Sequence, residues 1–497
     1  MTLQVERKKR LEAPCTRDCP ANIDVPRYIG LIEQGEFAKA VAVVRERIPF
    51  PSVCGHVCYR PCEIKCRRVS MDAPVAINAL KRAATDYDAE RVWRRRWGQT
   101  VAPDTGKRVA IVGSGPTGLT AAYYLGKRCG HRVTVFEAEA EPGGQLRIGI
   151  PAYRLPRSLL DEEIRVITET RVELYCNSRV DSLEELWAQG FHAIFLASGA
   201  GVPRKLGLPG ENLPGVLDCV EFLAQVNLGQ KVALGPRVAV IGAGNVAIDG
   251  ARTARRLGGE QVAIVYRRTR DQMPAYDFEV KAAEEEGVQL VFLAAPVAFA
   301  PRGNALAMEL ELMKLGEPDS SGRPRPVPTG QRTIMETDTV LAAIGQVAAP
   351  PQAWSLKTNR DGTAQVDAKT LETGTPALFA GGDLVTGPLN VIEAIANGRR
   401  AAITIDRYLG GSGDISEQLA PDPEEGLEMP ASLAPLGVGP LRQRELDHHS
   451  RTGSFDEVDL GLTAEAAVSE ARRCIRCDLW RLAGVPSVWP KGKKLPA

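Results

Sequence analysis

Twice in this chain a short apolar strand runs into a glycine-rich turn and then a helix, in RVAIVGSGPTGLTAAYYL from Arg108 and RVAVIGAGNVAIDGARTA from Arg237. Glycine in such a turn adopts φ values that other residues resist, and it lets the backbone come close to a bound group. Each stretch continues into a second apolar strand, RVTVFE and QVAIVYRR. Strand, glycine turn, helix and strand make a βαβ unit, so the repeat predicts two parallel sheets and two dinucleotide sites rather than a solenoid.

In the first unit Gly113, Gly115 and Gly118 follow the strand, Pro116 opens the helix, and Glu137 closes the next strand. A pyrophosphate is expected at that helix N-terminus, with the Glu137 carboxylate accepting hydrogen bonds from a ribose. In the second unit Gly242 and Gly244 are followed by Ala247, a permitted third residue where helix and strand pack closely. No acid closes its second strand, which ends Tyr266, Arg267, Arg268, Thr269, Arg270. Guanidinium groups there suit a 2′-phosphate and favour NADPH, with NADH not excluded; a solvated basic turn is the alternative. Further on, ALFAGGDLVTGPLNVIEAIANGRR sets a glycine pair and Asp383 before a helix expected to begin near Pro388.

The charges balance, 62 basic against 61 acidic, so neither nucleic acid nor a membrane surface is indicated as the main partner. No run of about 18 apolar residues and no export signal is found, and a cytoplasmic protein without membrane insertion is expected. Eleven cysteines in such a chain point to reduced thiols, metal ligands or redox groups. Cys15, Cys19, Cys54, Cys58, Cys62 and Cys66 crowd one end, and Cys474 and Cys477 the other. Cys129, Cys176 and Cys219 read as core filler. Residues 1–100 look helical and carry a basic excess that includes Arg94, Arg95 and Arg96, either a docking face for an acidic partner or a solvated helix face.

GSGPTGLTAA, FEAEAEPGGQLRIGIPAYRLP, VYRRTRDQMPA and AGGDLVTGPLNVIEAIANGR together resemble the small (beta) subunit of glutamate synthase and its relatives, over nearly the whole chain. The resemblance implies an α/β fold with two Rossmann-like domains of the flavoprotein disulfide reductase kind, preceded by a helical iron–sulfur domain. It implies domains at 1–100 (iron–sulfur), 101–217 and 347–410 (FAD), 218–346 (an inserted NAD(P)H domain) and 411–497 (a tail). Gly113, Gly115, Pro116, Gly118, Glu137, Gly144, Gln145, Gly382 and Asp383 would then hold FAD. Gly242, Gly244, Asn245, Arg267 and Arg268 would hold the nicotinamide nucleotide. None of these is a chemical acid or base, so no catalytic residue is assigned; the protein places the hydride donor against the flavin.

Eight clustered cysteines suffice for two [4Fe–4S] clusters, four thiolates each, although CxxC pairs alone do not distinguish iron from zinc. The relatives carry their CxxC near the N-terminus, whereas here EARRCIRC stands at the far end, which implies a tail folding back onto Cys15. The pair could instead serve thiol exchange. The four-residue spacing of CGHVCYRPCEIKC, with Gly55 and Pro61 inside it, predicts a bent loop rather than one helix. Either Cys54, Cys58, Cys62 and Cys66 stay together, or the sets interleave. The resemblance favours Cys15, Cys66, Cys474 and Cys477 in one set, and Cys19, Cys54, Cys58 and Cys62 in the other. Lys81 stands where relatives place a Gln or Glu ligand, and an ammonium is a poor ligand, so Cys54 is expected to fill that place. The parts describe an electron-input subunit passing electrons to a catalytic partner subunit. A stand-alone reductase of a ferredoxin-type carrier and a thiol–disulfide reductase are the alternatives.

Overall fold

The computed structural model describes residues 2–3, 12–88, 92–97, 100–319, 322–420, 427–428 and 439–479, with side chains at 2–3, 95–97 and 427–428 excepted. The end of the tail after 479, most of its Pro-rich stretch, and the side chains of Arg95 and Arg96 lie outside the described residues. Arg94 pairs with Glu169 within the chain.

The first sheet runs, edge to edge, Leu378–Ala380, Ala193–Leu196, Arg108–Val112, Arg132–Phe136, Val172–Tyr175, all parallel. Its three inner strands are largely apolar, as strands covered by helices on both faces must be. Its edge strand Leu378–Ala380 arrives only after a second parallel sheet is complete, so the second unit interrupts the first. That second sheet runs Gln289–Phe292, Gln261–Tyr266, Arg237–Ile241, Thr339–Ala342, Val216–Asp218. Each glycine turn therefore leaves the C-terminal end of a central strand, where open α/β sheets bind ligands. The architecture is two Rossmann-like domains preceded by a helical domain.

An antiparallel sheet of Ala294–Arg302, Ala305–Pro318 and Pro324–Thr337 is an addition that the sequence pattern did not announce. Its last strand is mostly exposed and carries three prolines, which hides the period of two. Phe299, Leu306, Met308 and Leu310 bury one face of it against Ala239, Ile241 and Val265.

In the N-terminal domain the cysteine stretch is bent rather than one helix, but the bend does not fall at Gly55. The helix Pro51–Val57 runs through Gly55, and the chain turns at Cys58–Arg60, where Arg60 has φ +65°. Gly55 is instead where the helix Ile77–Asp86 crosses: a Cβ there would stand 2.9 Å from Arg82 Cα. The tail lies on this domain. Thr463 caps the helix Ala464–Ala471 by accepting from the Ala466 N–H. Glu470 accepts the Ala76 N–H at 2.8 Å, and Arg473 donates to the carbonyls of Ala73 and Pro74, both at 2.9 Å. The helix expected near Pro388 begins at Val391, because Asn390 and Glu393 form a capping box there. Among the described residues no helix is long and apolar enough to cross a membrane.

Candidate functional site

The first glycine turn is shaped by close backbone approaches. Gly113, at φ +105°, lies so near the Ala197 carbonyl that a Cβ would stand 2.4 Å from its oxygen. A Cβ on Gly118 would meet the Gly113 oxygen at 2.1 Å, so the helix Pro116–Lys127 can pack against the strand only with glycine at that position. Gly115 differs: a methyl there meets nothing within 4 Å, so space lies open over the helix N-terminus. Gly144, at φ +52°, faces this turn with its would-be Cβ 3.0 Å from Gly115 Cα, and Gln145 begins the short helix after it. The Glu137 carboxylate is fixed beside the turn by the N–H groups of Ser114 and Glu139, each at 2.9 Å. From the other side Gly382 presses on Thr117, and Asp383 follows it, accepting the Leu389 N–H at 3.2 Å. Burial pushes the Asp383 carboxyl up to about pKa 6. Residues far apart in the chain thus form one cradle of bare backbone at a positive helix end, which suits a dinucleotide pyrophosphate.

The second turn repeats the design. A Cβ on Gly242 would stand 2.3 Å from the Ala343 oxygen, whereas Gly244 faces open space. Asn245 Oδ1 accepts the Tyr276 N–H at 3.2 Å, which ties the turn to the loop after the second strand. The two neighbouring arginines part company. Arg267 is exposed. Arg268 is buried and donates to Asp319 at 2.7 Å and to the Pro324 carbonyl at 2.8 Å, both near the hairpin between the long antiparallel strands.

The tail returns Cys474 and Cys477 to the neighbourhood of the N-terminal cysteines. The Cys15 thiol is pushed well up by burial and by the neighbouring thiols of Cys477, Cys474, Cys66 and Cys62. Cys474 and Cys477 are each pushed up to about 12, burial being the main cause. Lys81, in the same domain, is 5% exposed. Burial works against its ammonium, but Cys58, Cys54, Cys62 and Cys19 beside it hold its pKa above the ordinary value. Cys15, Cys19, Cys54, Cys58 and Cys62 are buried; Cys66, Cys474 and Cys477 are partly exposed. Of the scattered cysteines only Cys219 is fully buried. Cys129 lies with His131 and Asp406, their donor atoms within 4.8 Å of one another, where His131 Nε2 and Asp406 are 3.0 Å apart.

An aromatic stack that the sequence pattern did not reveal links these parts. Tyr59, next to Cys58, stacks on Tyr276, and Tyr276 on Phe278 with centroids 5.8 Å apart. The Arg60 guanidinium covers Phe278 at 4.3 Å. Tyr276 Oη donates to Asn390 at 2.6 Å, so the stack also reaches the cap of the helix Val391–Tyr408. The only hint in the sequence was the position of Tyr59 beside a clustered cysteine.

Residues 107–398 match the family model of pyridine nucleotide-disulphide oxidoreductases, and residues 8–93 that of dihydropyrimidine dehydrogenase domain II, 4Fe-4S cluster. The chain is 40% identical over 504 residues to the NADP(+)-dependent formate dehydrogenase subunit beta of Moorella thermoacetica, covering 95% of this chain and 71% of that one. It is 38% identical over 514 residues to the NADPH-Fe(3+) oxidoreductase subunit beta of Geobacter sulfurreducens, covering 94% and 75%. Among solved structures, Mycobacterium tuberculosis FprA in complex with NADPH superposes with a TM-score of 0.54 at 22% identity, over 61% of this chain and 85% of that one, a likeness of fold.

Proposed function

This chain belongs to the pyridine nucleotide-disulphide oxidoreductase family and has a helical iron–sulfur domain at its N-terminus, and from that premise we propose that it is an electron-input subunit that oxidises NAD(P)H at FAD and delivers electrons through two [4Fe–4S] clusters to a catalytic partner. The observation that carries the reading is the tail lying back on the N-terminal domain through Glu470 and Arg473, with Cys474 and Cys477 among the neighbours of Cys15, together with the aromatic stack that joins the cysteine loop to the nicotinamide domain.

In this reading Gly113, Gly115, Pro116, Gly118, Glu137, Gly144, Gln145, Gly382 and Asp383 hold FAD, and the bare turn at Gly115 leaves room for its pyrophosphate. Gly242, Gly244 and Asn245 hold the nicotinamide nucleotide, and the exposed Arg267 recognises a 2′-phosphate, which favours NADPH. Arg268 is spent on Asp319 and has a structural role here. Cys15, Cys66, Cys474 and Cys477 form one ligand set, and Cys19, Cys54, Cys58 and Cys62 the other. FAD, when bound, accepts a hydride's two electrons and releases them singly, the change that one-electron clusters require. The chain itself contributes placement: the stack at Tyr59 and Tyr276 holds the nicotinamide domain against the cluster domain.

Iron fits better than zinc. Residues 8–93 match a family model described by a 4Fe-4S cluster, and zinc, which has no redox chemistry, would carry no electrons away from a flavin. The two relatives are beta subunits of a formate dehydrogenase and of an Fe(3+) oxidoreductase. Their names support a partner of that kind at least as well as a glutamate synthase subunit. The domains at 1–100, 101–217 with 347–410, 218–346 and 411–497 belong to the proposal, as does a reducing, cytoplasmic setting.

The test is iron, zinc and flavin content of anaerobically purified protein, with bleaching by NADPH and NADH followed in the visible spectrum. About eight irons and one FAD per chain are expected. Zinc in place of iron, or about four irons, would sink the reading.

A further inference from the structure

Cys129, His131 and Asp406 form a cluster of metal-ligating side chains that the assignments above leave unused. One donor atom from each, a sulfur, an imidazole nitrogen and a carboxylate oxygen, lies within 4.8 Å of the other two. His131 and Asp406 are buried, and Cys129 is half-buried in the wall of a cleft of about 370 Å³ that Lys107, Arg128 and Asp414 also line. The donors are held from behind. His131 Nδ1 lies 2.7 Å from Thr105 Oγ1, whose own hydroxyl donates to the Gly130 carbonyl at 3.4 Å. With its proton on Nδ1 and given to Thr105, the ring turns the lone pair of Nε2 towards Asp406 Oδ1, 3.0 Å away. Asp406 Oδ2 accepts the Gly413 N–H at 2.7 Å, and bare Gly411 lies so close that a Cβ there would stand 2.2 Å from Oδ1. Two acceptors facing each other at that distance repel unless a cation joins them. The opposite tautomer puts a proton there, whereas the third donor beside them, Cys129, suits a metal ion.

We propose that Cys129, His131 and Asp406 bind one divalent ion of the zinc class, with water from the cleft as the fourth ligand. Thiolate, imidazole and carboxylate are ligand types that zinc takes, and three protein ligands with one open position make a tetrahedral zinc site. Zn–N and Zn–O bonds of about 2.0–2.1 Å at the tetrahedral angle put nitrogen and oxygen about 3.3 Å apart, so the His131 and Asp406 donors need to separate by only ~0.3 Å. Binding releases the Cys129 thiol proton to solvent. A dication with one thiolate and one carboxylate is neutral, which suits a site with Lys107 and Arg128 in the same cleft. The ion acts as a clip. Thr105 belongs to the segment that leads from the N-terminal domain into the first sheet, and its N–H donates to the Gly130 carbonyl at 3.0 Å. His131 precedes the strand Arg132–Phe136, and Asp406 lies in the last turn of the helix Val391–Tyr408, whose following loop leads to the tail. One ion therefore ties the place where the sheet receives the chain to the place where it releases it. Glu137 stands at the other end of the same strand, about 20 Å along the chain from His131, so the ion takes no part in hydride transfer.

The experiment uses the full-length holoprotein, purified without oxygen and dialysed against low-micromolar zinc, as wild type, Cys129→Ala and, as a control, Cys176→Ala. Iron, zinc and flavin are counted, and the surroundings of the zinc are read by X-ray absorption. Wild type and Cys176→Ala are expected to hold about one zinc per chain, with about one sulfur and three nitrogen or oxygen neighbours. Cys129→Ala is expected to lose that zinc and to keep its iron, its flavin and the rate at which NADPH bleaches it. A chelator should lower the melting temperature of wild type and leave that of Cys129→Ala in place. A wild-type protein without zinc overturns the inference, and so does zinc retained in full by Cys129→Ala. Zinc with four sulfur neighbours also overturns it, because that shell belongs to the clustered cysteines at the chain ends. If Cys129→Ala fails to fold, the wild-type zinc content and its count of sulfur neighbours decide the matter alone.

Discussion

The ring of Tyr59 stacks on that of Tyr276 with centroids 5.7 Å apart and planes inclined by 16°. Tyr59 follows a clustered cysteine, while Tyr276 is tied through its N–H to Asn245 at the second glycine turn and through its hydroxyl to Asn390 on the flavin side. One contact thus joins the cysteine loop, the nicotinamide domain and the first sheet's last helix. Stacked aromatic pairs contribute about 1 kcal/mol beyond their buried area, enough to bias the relative placement of domains.

Replacing Tyr276 by Ala should leave iron and flavin content unchanged and slow the reduction of bound flavin by NADPH about tenfold or more, since small misplacement of reactants is costly. Stopped-flow absorbance measures this. A wild-type rate would show that the stack does not govern domain placement.

Changing Cys474 and Cys477 together to Ser should lower iron from about eight to about four per chain while NADPH still bleaches the flavin. Under a thiol-exchange role the iron would instead be unaffected and disulfide reduction would be lost.

The two kinds of glycine in the first turn should separate in mutants. Gly118→Ala forces a methyl against the Gly113 oxygen and should cost about 1–3 kcal/mol of stability, lowering the melting temperature. Gly115→Ala meets no protein atom, so its melting temperature without cofactor should match wild type while FAD binding weakens. Equal behaviour of the two in thermal melts and flavin titrations would contradict the cradle.

Arg267→Ala should raise KM for NADPH about tenfold and leave KM for NADH in place, because only the 2′-phosphate partner is lost. Arg268→Ala should leave both KM values near wild type and destabilise the fold by about 1–2 kcal/mol, because Arg268 loses hydrogen bonds to the partly exposed Asp319 and to the Pro324 carbonyl. Steady-state kinetics with both donors and a urea melt decide the assignment.

Asp383 gives a pH signature. In the fold its carboxyl lies near pKa 6 against an ordinary 3.8, so between those values the native protein holds a proton that the unfolded chain has released. Its contribution to stability therefore falls by up to about 3 kcal/mol as pH rises through that window. Denaturant melts of the flavin-free protein from about pH 4 to pH 7 should show this slope in wild type and not in Asp383→Asn.

Short-range pattern was enough to reveal the two βαβ units, the glycines that had to be bare, and the clustering of eight thiols at the two ends of the chain. Those features depend on local backbone geometry and residue chemistry, which the order of residues carries directly. Tertiary structure alone decided that Gly55 serves a helix crossing and not a break, because the partner backbone at Arg82 lies far along the chain. It also separated Arg267 from Arg268, since the Asp319 that claims the second belongs to a hairpin with no clear period of its own. The return of Cys474 and Cys477 to the N-terminal domain depends on the tail's contacts through Glu470, Arg473 and Glu457. Such contacts join residues hundreds of positions apart, and no local periodicity encodes which of them meet.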